Sequence, residues 1–135
     1  RNWSKDLPGF RCPWREDWHD AQSVALTLDL PIELWDFKKD YKDKVVDYLV
    51  SEYKAGRTPN PDIICNQEVK FKVFLNHAIE TGADKIATGH YARIYQDKNN
   101  KFWLQAAKDE SKDQSYFLAR ISQEALSKSL FPLGD

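Results

Sequence analysis

The sequence of 135 residues contains no methionine, only five glycines and only two cysteines. Two cysteines exclude a small scaffold that is held together by disulfides. The five glycines are widely separated, which excludes a glycine-rich phosphate-binding loop within these residues. Because position 1 is an arginine and methionine is missing throughout, we expect the sequence to be an excerpt of a longer chain.

An excess of one charge and a long apolar run are also missing. Lysine and arginine number 20 against 21 aspartates and glutamates, which gives a formal net charge of −1. This balance argues against a global basic surface for nucleic acid. No apolar run approaches the roughly 20 residues of a membrane helix, so we expect no membrane partner. With 41% hydrophobic and 13% aromatic residues, the chain has enough apolar material for a folded core.

Hydrophobic periodicity and turn signals predict an alternation of helices and strands. Helices are predicted at 17–28, 40–55, 65–81, 114–120 and 122–130, the last with Ser122 as its N-cap. Strands are predicted at 32–37 and 85–91, and a β-hairpin at 92–107. Gly56 and Gly82 are predicted to end two of the helices. This order predicts an α/β fold with a short parallel sheet.

Residues that could act in catalysis or ligand binding are most concentrated in the segment 56–66. Cys65 follows a proline-rich turn at the predicted start of a helix, where the helix dipole favours a thiolate and lowers the thiol pKa. Asp62 could exchange a proton with this thiol, although its charge opposes the thiolate. Asn60 offers an amide to a polar edge of a ligand. A structural interpretation stays open, in which Cys65 is a small buried side chain and Asp62 an N-cap.

Two further polar segments give weaker signals. Gly89 and His90 follow the second predicted strand, and ligands of open α/β sheets bind beyond the carboxyl ends of strands. The alternative is a turn glycine with a surface histidine. Lys112, Asp113 and Gln114 precede an apolar helix, where they could contact phosphate or a base, or simply form a capped helix start.

Metal binding is not indicated by the cysteines. Cys12 and Cys65 lie far apart and lack the paired spacing of zinc ligands, so we predict no metal site built from them. Cys12 is interpreted as structural or incidental.

Four motifs together resemble the tRNA-specific 2-thiouridylase family. They are GRTPNPDIICNQEVKF at 56–71, ATGHYAR at 87–93, KDQSYFL at 112–118 and LFPLG at 130–134. Their order and spacing are similar to the family along essentially the whole chain. The resemblance implies a partial Rossmann-like fold of the adenine nucleotide alpha hydrolase type, with flanking helices. It assigns residues 1–107 to an ATP pyrophosphatase-type catalytic domain and residues 108–135 to a helical segment that leads toward a central domain.

The resemblance also implies a reaction. Members of the family convert the wobble uridine of tRNA to 2-thiouridine, using ATP, with Mg²⁺ expected beside it, to adenylate the base and a cysteine persulfide to supply sulfur. By resemblance, Cys65 is the catalytic cysteine that releases sulfide from the persulfide or forms a disulfide with the cysteine that carries it. Asp62 is its acid–base partner.

The remaining roles follow from the same motifs. The resemblance implies that Asn60, Pro61 and Asp62 surround the target base and that Gly89 lies against the nucleotide. It implies that tRNA is contacted by His90, Lys112, Asp113 and Gln114.

The resemblance further implies a sulfur-relay donor protein as partner, a monomer, and a cytoplasmic or alternatively a mitochondrial location. The family's phosphate-binding loop and its persulfide cysteine have no counterpart in these residues, so we expect this stretch to be inactive alone. Another ATP pyrophosphatase of related fold is an alternative, against which the turn ending at Cys65 argues. A non-catalytic tRNA-binding or thiol redox module is a third, although a redox protein usually has a second cysteine nearby.

Overall fold

A computed structural model describes Arg1 and residues 12–135, in which three helical runs come first. Helix α1 spans Trp14–Thr27. Helix α2 covers residues 38–54 and joins Lys38–Tyr41, a π-helical stretch at Lys42–Val46, and Asp47–Lys54. Helix α3 covers residues 61–80 and joins Pro61–Ile64, the π-helical Cys65–Phe74, and Leu75–Glu80. None of the helices in this described part of the chain has the length and apolar content of a membrane span.

Short strands and turns form the second half of the chain. The strands are β1 (Ile86–Ala87), β2 (Ala92–Gln96), β3 (Phe102–Ala106) and β4 (Ser129–Leu130). Helix α4 spans Gln123–Ser127, and 3₁₀ turns lie at Glu110–Lys112 and Ser115–Leu118. Strands β2 and β3 pair antiparallel, with Ile94 opposite Leu104, which confirms the hairpin. Strands β1 and β4 pair in parallel, so the fold is mixed α/β with a short parallel sheet, as predicted.

The strand predicted at 32–37 is wrong, since this extended segment belongs to neither sheet of the described residues. Its backbone meets that of Arg1: the Phe37 N–H donates to the Arg1 carbonyl at 2.7 Å, and the Arg1 backbone nitrogen donates to the Trp35 carbonyl. The rings of Trp35 and Phe37 lie 5.4 and 6.3 Å from the ring of Phe74 on α3. The apolar positions of this segment therefore provide aromatic packing on α3, beside its backbone hydrogen bonds with Arg1.

Several elements of the second half are shorter than predicted. The strand predicted at 85–91 is limited to β1, the helix predicted at 114–120 is a 3₁₀ turn, and the helix predicted at 122–130 is limited to α4. The Ser122 N-cap is confirmed, because its hydroxyl accepts a hydrogen bond from the Ala125 N–H at 3.1 Å. The residues after α4 form β4 instead of continuing the helix, a long-range pairing that local periodicity does not reveal.

Two glycines terminate helices, as predicted. Gly56 follows α2 with a φ of +73°, and Gly82 follows α3 with a φ of +100°. This left-handed backbone is strained for residues with a Cβ, which is why glycine is favoured just after a helix. The glycines therefore help to set where α2 and α3 end.

Helix α3 joins two apolar clusters of buried side chains. The larger cluster contains three α3 residues and six later ones: Phe71, Leu75, Ala78, Ile86, Ala92, Leu118, Ala125, Leu126 and Phe131. The smaller cluster joins α2 to α3 through Val45, Ile64 and Val69. Burial of each large apolar side chain contributes about 1.5–3 kcal/mol relative to exposure. Helix α3 thus lies between α2 and the elements of the second half of the chain.

The segment 108–135 shares the larger cluster with the residues before it, through Leu118, Leu126 and Phe131. It also returns to the hairpin, because the Lys108 N–H donates to the Gly134 carbonyl at 2.8 Å. The boundary between residues 107 and 108, which separates a catalytic domain from a helical segment, stays a prediction.

Gly134 provides a test of this close packing. A Cβ at this buried glycine would lie 1.9 Å from the carbonyl oxygen of Ala92, so the backbone would have to move. We expect Gly134→Ala to lower the free energy of unfolding by about 1–3 kcal/mol in urea denaturation. The matched control is Gly89→Ala, where a Cβ would meet Leu133 Cδ1 at an ordinary 3.7 Å and stability should change little. Equal stability of the two variants would contradict the close approach.

Candidate functional site

The start of α3 is fixed by Asn60, which caps the helix. Its side-chain oxygen accepts hydrogen bonds from the Asp62 N–H at 3.0 Å and the Ile63 N–H at 3.2 Å. Pro61 stands in the first helical turn, where its missing N–H costs nothing. The N-cap is therefore Asn60 rather than Asp62, and α3 begins before Cys65. The structural interpretation of Asp62 as an N-cap is wrong.

The cap also orients the rest of the Asn60 amide. Since its oxygen faces the helix N–H groups, its nitrogen points the other way and donates to the Tyr116 hydroxyl at 3.4 Å. Asn66, which is buried, donates from its own amide nitrogen to the Phe117 carbonyl at 3.1 Å. These two asparagines attach the 3₁₀ turn at Ser115–Leu118 to α3, so the first and third motifs of the sequence lie together.

Cys65 lies inside α3 and not at its N-terminus, which corrects the expectation of a lowered thiol pKa. Burial raises the pKa of the Cys65 thiol, the Lys70 charge lowers it in part, and the Asp62 charge raises it. The helix N-terminus, where the dipole favours an anion, is one turn away. The half-buried, reduced thiol is therefore protonated at neutral pH and needs a base before it can act as a nucleophile.

Asp62 and Tyr41 are close to this thiol. Asp62 is exposed and precedes Cys65 by about one helical turn. Burial raises the pKa of the Tyr41 hydroxyl, and the charges of Cys65 and Asp62 raise it further. Tyr41 belongs to α2 and packs with Cys65 against the smaller apolar cluster. The Asp62 carboxylate is thus a negative charge that acts on both the thiol and the Tyr41 hydroxyl, and its role in proton exchange stays a prediction.

A cleft of about 480 Å³ lies beside α3, beyond the end of β1. Its lining comes from α3, the residues after β1 and the third motif, and consists of Lys70, Phe74, Ala87, Thr88, Gly89, His90 and Gln114. A Cβ at Gly89 would meet only Leu133 within 4 Å, so this exposed glycine leaves its backbone accessible to a ligand. The volume of the cleft lies within the range that is usual for small-molecule sites.

His90 is held as a neutral imidazole in this cleft. Its Nδ1 is 2.8 Å from the Thr88 hydroxyl, and its ring lies 5.7 Å from the ring of Phe71 and 5.9 Å from that of Phe131. Burial and then the Lys70 charge lower the pKa of His90 to about 4. At neutral pH the ring can exchange hydrogen bonds with a ligand but does not attract phosphate by charge.

The three residues of the third motif differ in their surroundings. Lys112 ends a 3₁₀ turn with an exposed side chain that can reach a large partner. Asp113 accepts hydrogen bonds from the Ala107 N–H at 2.9 Å and the Ser115 hydroxyl at 2.8 Å, which hold its pKa below the usual range. Gln114 exchanges two hydrogen bonds with the backbone of Tyr91, one through its side-chain oxygen at 3.0 Å.

The predicted site residues therefore form two adjoining groups. The first group lies at the first turns of α3 and consists of Asn60, Pro61, Asp62 and Cys65. Gly89, His90 and Gln114 line the cleft, while Lys112 and Asp113 lie beside it. Within Arg1 and residues 12–135, no group of three or more histidine, cysteine, aspartate or glutamate side chains is placed to hold a metal ion.

Sequence patterns give no specific role in the site to two residues near it. Tyr116 is 62% exposed beside Asn60, and Lys70 lines the cleft while acting electrostatically on both Cys65 and His90. Tyr116 follows the third motif without any polar signal of its own. The spacing of Lys70 from Cys65 would place the two on different faces of an α-helix, and only the wider helix observed here reveals their proximity.

Comparison with known proteins gives consistent matches along the chain. A family model described as the tRNA methyl transferase HUP domain matches residues 1–135. The tRNA-specific 2-thiouridylase MnmA of Cupriavidus metallidurans is 52% identical over 135 residues, which are 100% of this chain and 38% of that protein. The proteins of the same name from Paraburkholderia phytofirmans and Hydrogenovibrio crunogenus are 52% and 50% identical, with 100% of this chain and 36% of each covered. The chain thus spans a little over a third of the length of these curated relatives.

The electrostatics of Cys65 predict its reactivity. With Cys12 replaced by serine, we expect iodoacetamide to alkylate Cys65 slowly at neutral pH, with a rate midpoint above the roughly 8.5 of an ordinary thiol. Asp62→Asn removes a negative charge, lowers the thiol pKa and should accelerate alkylation at pH 8 by about two- to fivefold. Asp20→Asn on α1 is the charge-matched control and should have no effect. A midpoint below that of an ordinary thiol, or no response to Asp62→Asn, would contradict this electrostatic description.

Proposed function

The chain belongs to the tRNA methyl transferase HUP domain family, and we propose that it is part of an enzyme that converts the wobble uridine of tRNA to 2-thiouridine. One observation carries the proposal: a thiol and a carboxylate, Cys65 and Asp62, share the capped start of α3 in a chain half identical to proteins named tRNA-specific 2-thiouridylase. The proposed enzyme is a tRNA-uridine 2-sulfurtransferase, to which this chain contributes catalytic residues.

The proposed role of Cys65 is nucleophilic and requires proton transfer. Asp62 takes the proton of the Cys65 thiol, which burial keeps protonated at neutral pH. The thiolate attacks the inner sulfur of a cysteine persulfide, so that a Cys65 disulfide forms as the sulfur–sulfur bond of the persulfide breaks. The outer sulfur leaves as sulfide, or is already joined to C2 of the base when this bond breaks. In both cases the sulfur that reaches the base comes from the persulfide, which a sulfur-relay donor protein supplies.

Asn60, Pro61 and Asp62 are proposed to hold the target base. A base that is modified by an enzyme must leave its stack, and a rigid pocket that contacts its polar edge lowers the cost of holding it there. The cap fixes the Asn60 amide with its nitrogen away from the helix, and proline restricts the next residue. This preorganised turn stands directly before the thiol, which supports its assignment to the base.

The cleft is proposed to take the nucleotide. ATP supplies the AMP group that activates the oxygen at C2 of uridine, with Mg²⁺ expected beside its phosphates. Gly89 gives close access to the backbone at this cleft, which supports its assignment to the nucleotide. Helix α3 contributes residues both to the cleft and to the turn that holds the thiol. Activation and sulfur transfer would therefore occur at neighbouring positions.

Contacts with the rest of the tRNA are proposed for the third motif and His90. Lys112 is exposed and can contact phosphate directly. Asp113 and Gln114 are engaged with Ala107, Ser115 and Tyr91, so their contribution to tRNA binding includes holding this surface in shape.

We further propose that the complete protein is a monomer and acts in the cytoplasm, or alternatively in mitochondria.

The central test is Cys65→Ala in the full-length protein. We expect formation of 2-thiouridine to fall by more than about 10³-fold, as typically follows loss of a nucleophile, measured by mass spectrometry of digested tRNA. ATP-dependent adenylation and tRNA binding should stay near the wild-type level, since the residues of the cleft are unchanged. The control is Cys12→Ser, which should form 2-thiouridine at the wild-type level. Normal thiolation by Cys65→Ala would refute the assignment.

A second prediction separates tRNA binding from nucleotide binding. His90→Ala and Lys112→Ala, each in the full-length protein, should weaken tRNA binding by about three- to tenfold, as expected for the loss of a single polar or phosphate contact. ATP affinity should change less than twofold in Lys112→Ala. Lys98→Ala, at the tip of the hairpin, serves as the matched loss of a surface charge. Equal losses for both ligands, or a loss confined to ATP, would contradict these roles.

A further inference from the structure

Lys70 differs from the other lysine on the same stretch of α3. Lys72 forms an ion pair with Glu68, with 2.9 Å between Nζ and Oε2. Among Arg1 and residues 12–135, no carboxylate lies within ion-pair distance of Lys70, whose side chain is exposed and lines the 480 Å³ cleft with Gly89 and His90. An unpaired cation at the edge of a cleft is suited to binding an anion from solution.

The π-helical stretch Cys65–Phe74 determines on which side of α3 Lys70 lies. In a π-helix each hydrogen bond joins residues five apart, so Lys70 follows Cys65 by one wide turn and shares its side of α3. In an α-helix the same two residues would be separated by about 140° around the axis. The wide stretch ends in a kink at Phe71, whose φ and ψ of −97° and 15° are not helical.

The electrostatics agree with this placement. The Lys70 charge favours the thiolate of Cys65 and disfavours protonation of His90, so it acts on both groups of the candidate site. Since His90 is neutral at neutral pH, it does not compete with Lys70 for an anion. Lys70 is therefore the positive charge that the thiol and the cleft have in common.

We propose that Lys70 is the anion-binding residue of this site, and that its ammonium group binds the phosphate of a nucleoside monophosphate held in the cleft beside Cys65. The inference rests on the proposed function, which requires AMP to leave the base next to the thiol. An ammonium group there stabilises the negative charge that the leaving phosphate gains and, once Asp62 has taken the thiol proton, the charge of the thiolate as well. Lysine suits this task as a compact charge on a flexible stem.

The test compares AMP with adenosine, which lacks the phosphate, by calorimetric titration of the full-length protein. In Lys70→Ala we expect the Kd for AMP to rise by about tenfold or more, the usual size of a lost charge-assisted contact. The Kd for adenosine should change less than twofold. Lys70→Arg should retain most of the AMP affinity, and Lys72→Ala, the matched loss of a neighbouring charge, should retain all of it.

A second measurement needs no nucleotide. In proteins that also carry Cys12→Ser, Lys70→Ala should slow alkylation of Cys65 at pH 8, opposite in sign to Asp62→Asn, because it removes a positive charge beside the thiol. Lys72→Ala should alkylate at the wild-type rate. Circular dichroism of each variant checks that α3 is retained.

The outcomes separate this inference from the proposed function. Unchanged AMP binding in Lys70→Ala, or an equal loss for adenosine, would overturn the role of Lys70 while tRNA thiolation could still be measured in the wild type. A selective loss of AMP affinity in a protein that makes no 2-thiouridine would support Lys70 and overturn the proposed reaction. Failure of the wild-type protein to bind AMP would overturn the inference and the nucleotide site together.

Discussion

The hydrogen bonds that Asn60 accepts from the first turn of α3 are the constraint on which the site depends. Each residue of a helix is rotated and raised by a constant amount relative to the one before it. Fixing the start of α3 therefore also fixes the positions of the residues that follow. Asp62, Cys65 and Lys70 are all positioned in this way. The same amide holds Tyr116 through its nitrogen, so one side chain aligns α3 with a distant 3₁₀ turn.

The apolar core supports this arrangement from beneath. Phe71 is buried where α3 kinks, and its ring meets both Phe131 and His90. The lining of the cleft is thus attached to residues that cannot move without opening the core. Gln114, through two hydrogen bonds with Tyr91, joins the third motif to the same loop. A polar site is thereby placed on a rigid base, although several of its residues are in turns.

Local patterns predicted the parts of the fold that local interactions determine. Amphipathic spacing, turn residues and cap residues identified the helices, the hairpin, Gly56, Gly82 and Ser122. Long-range contacts decided the rest: β4 forms because β1 is available as a partner, and the segment 32–37 packs on α3 and joins neither sheet of the described residues. For the site, residue types in the motifs pointed to residues that lie together at the start of α3 and around the cleft. The pKa of Cys65 was predicted in the wrong direction, because burial of the thiol depends on tertiary packing.

The parallel pairing of β1 with β4 has a consequence for the order in which the chain can acquire its structure. The hairpin between β2 and β3 joins neighbours in sequence, whereas β1 and β4 are separated by the hairpin, both 3₁₀ turns and α4. Closing so long a loop costs more chain entropy and is slower than forming a hairpin. The loop with Gly89 and His90 follows β1, whose partner strand β4 ends at residue 130. This loop is therefore anchored on both sides only after residue 130 has joined the fold. During synthesis on the ribosome, therefore, the cleft at Gly89 is completed after the capped turn that precedes the thiol.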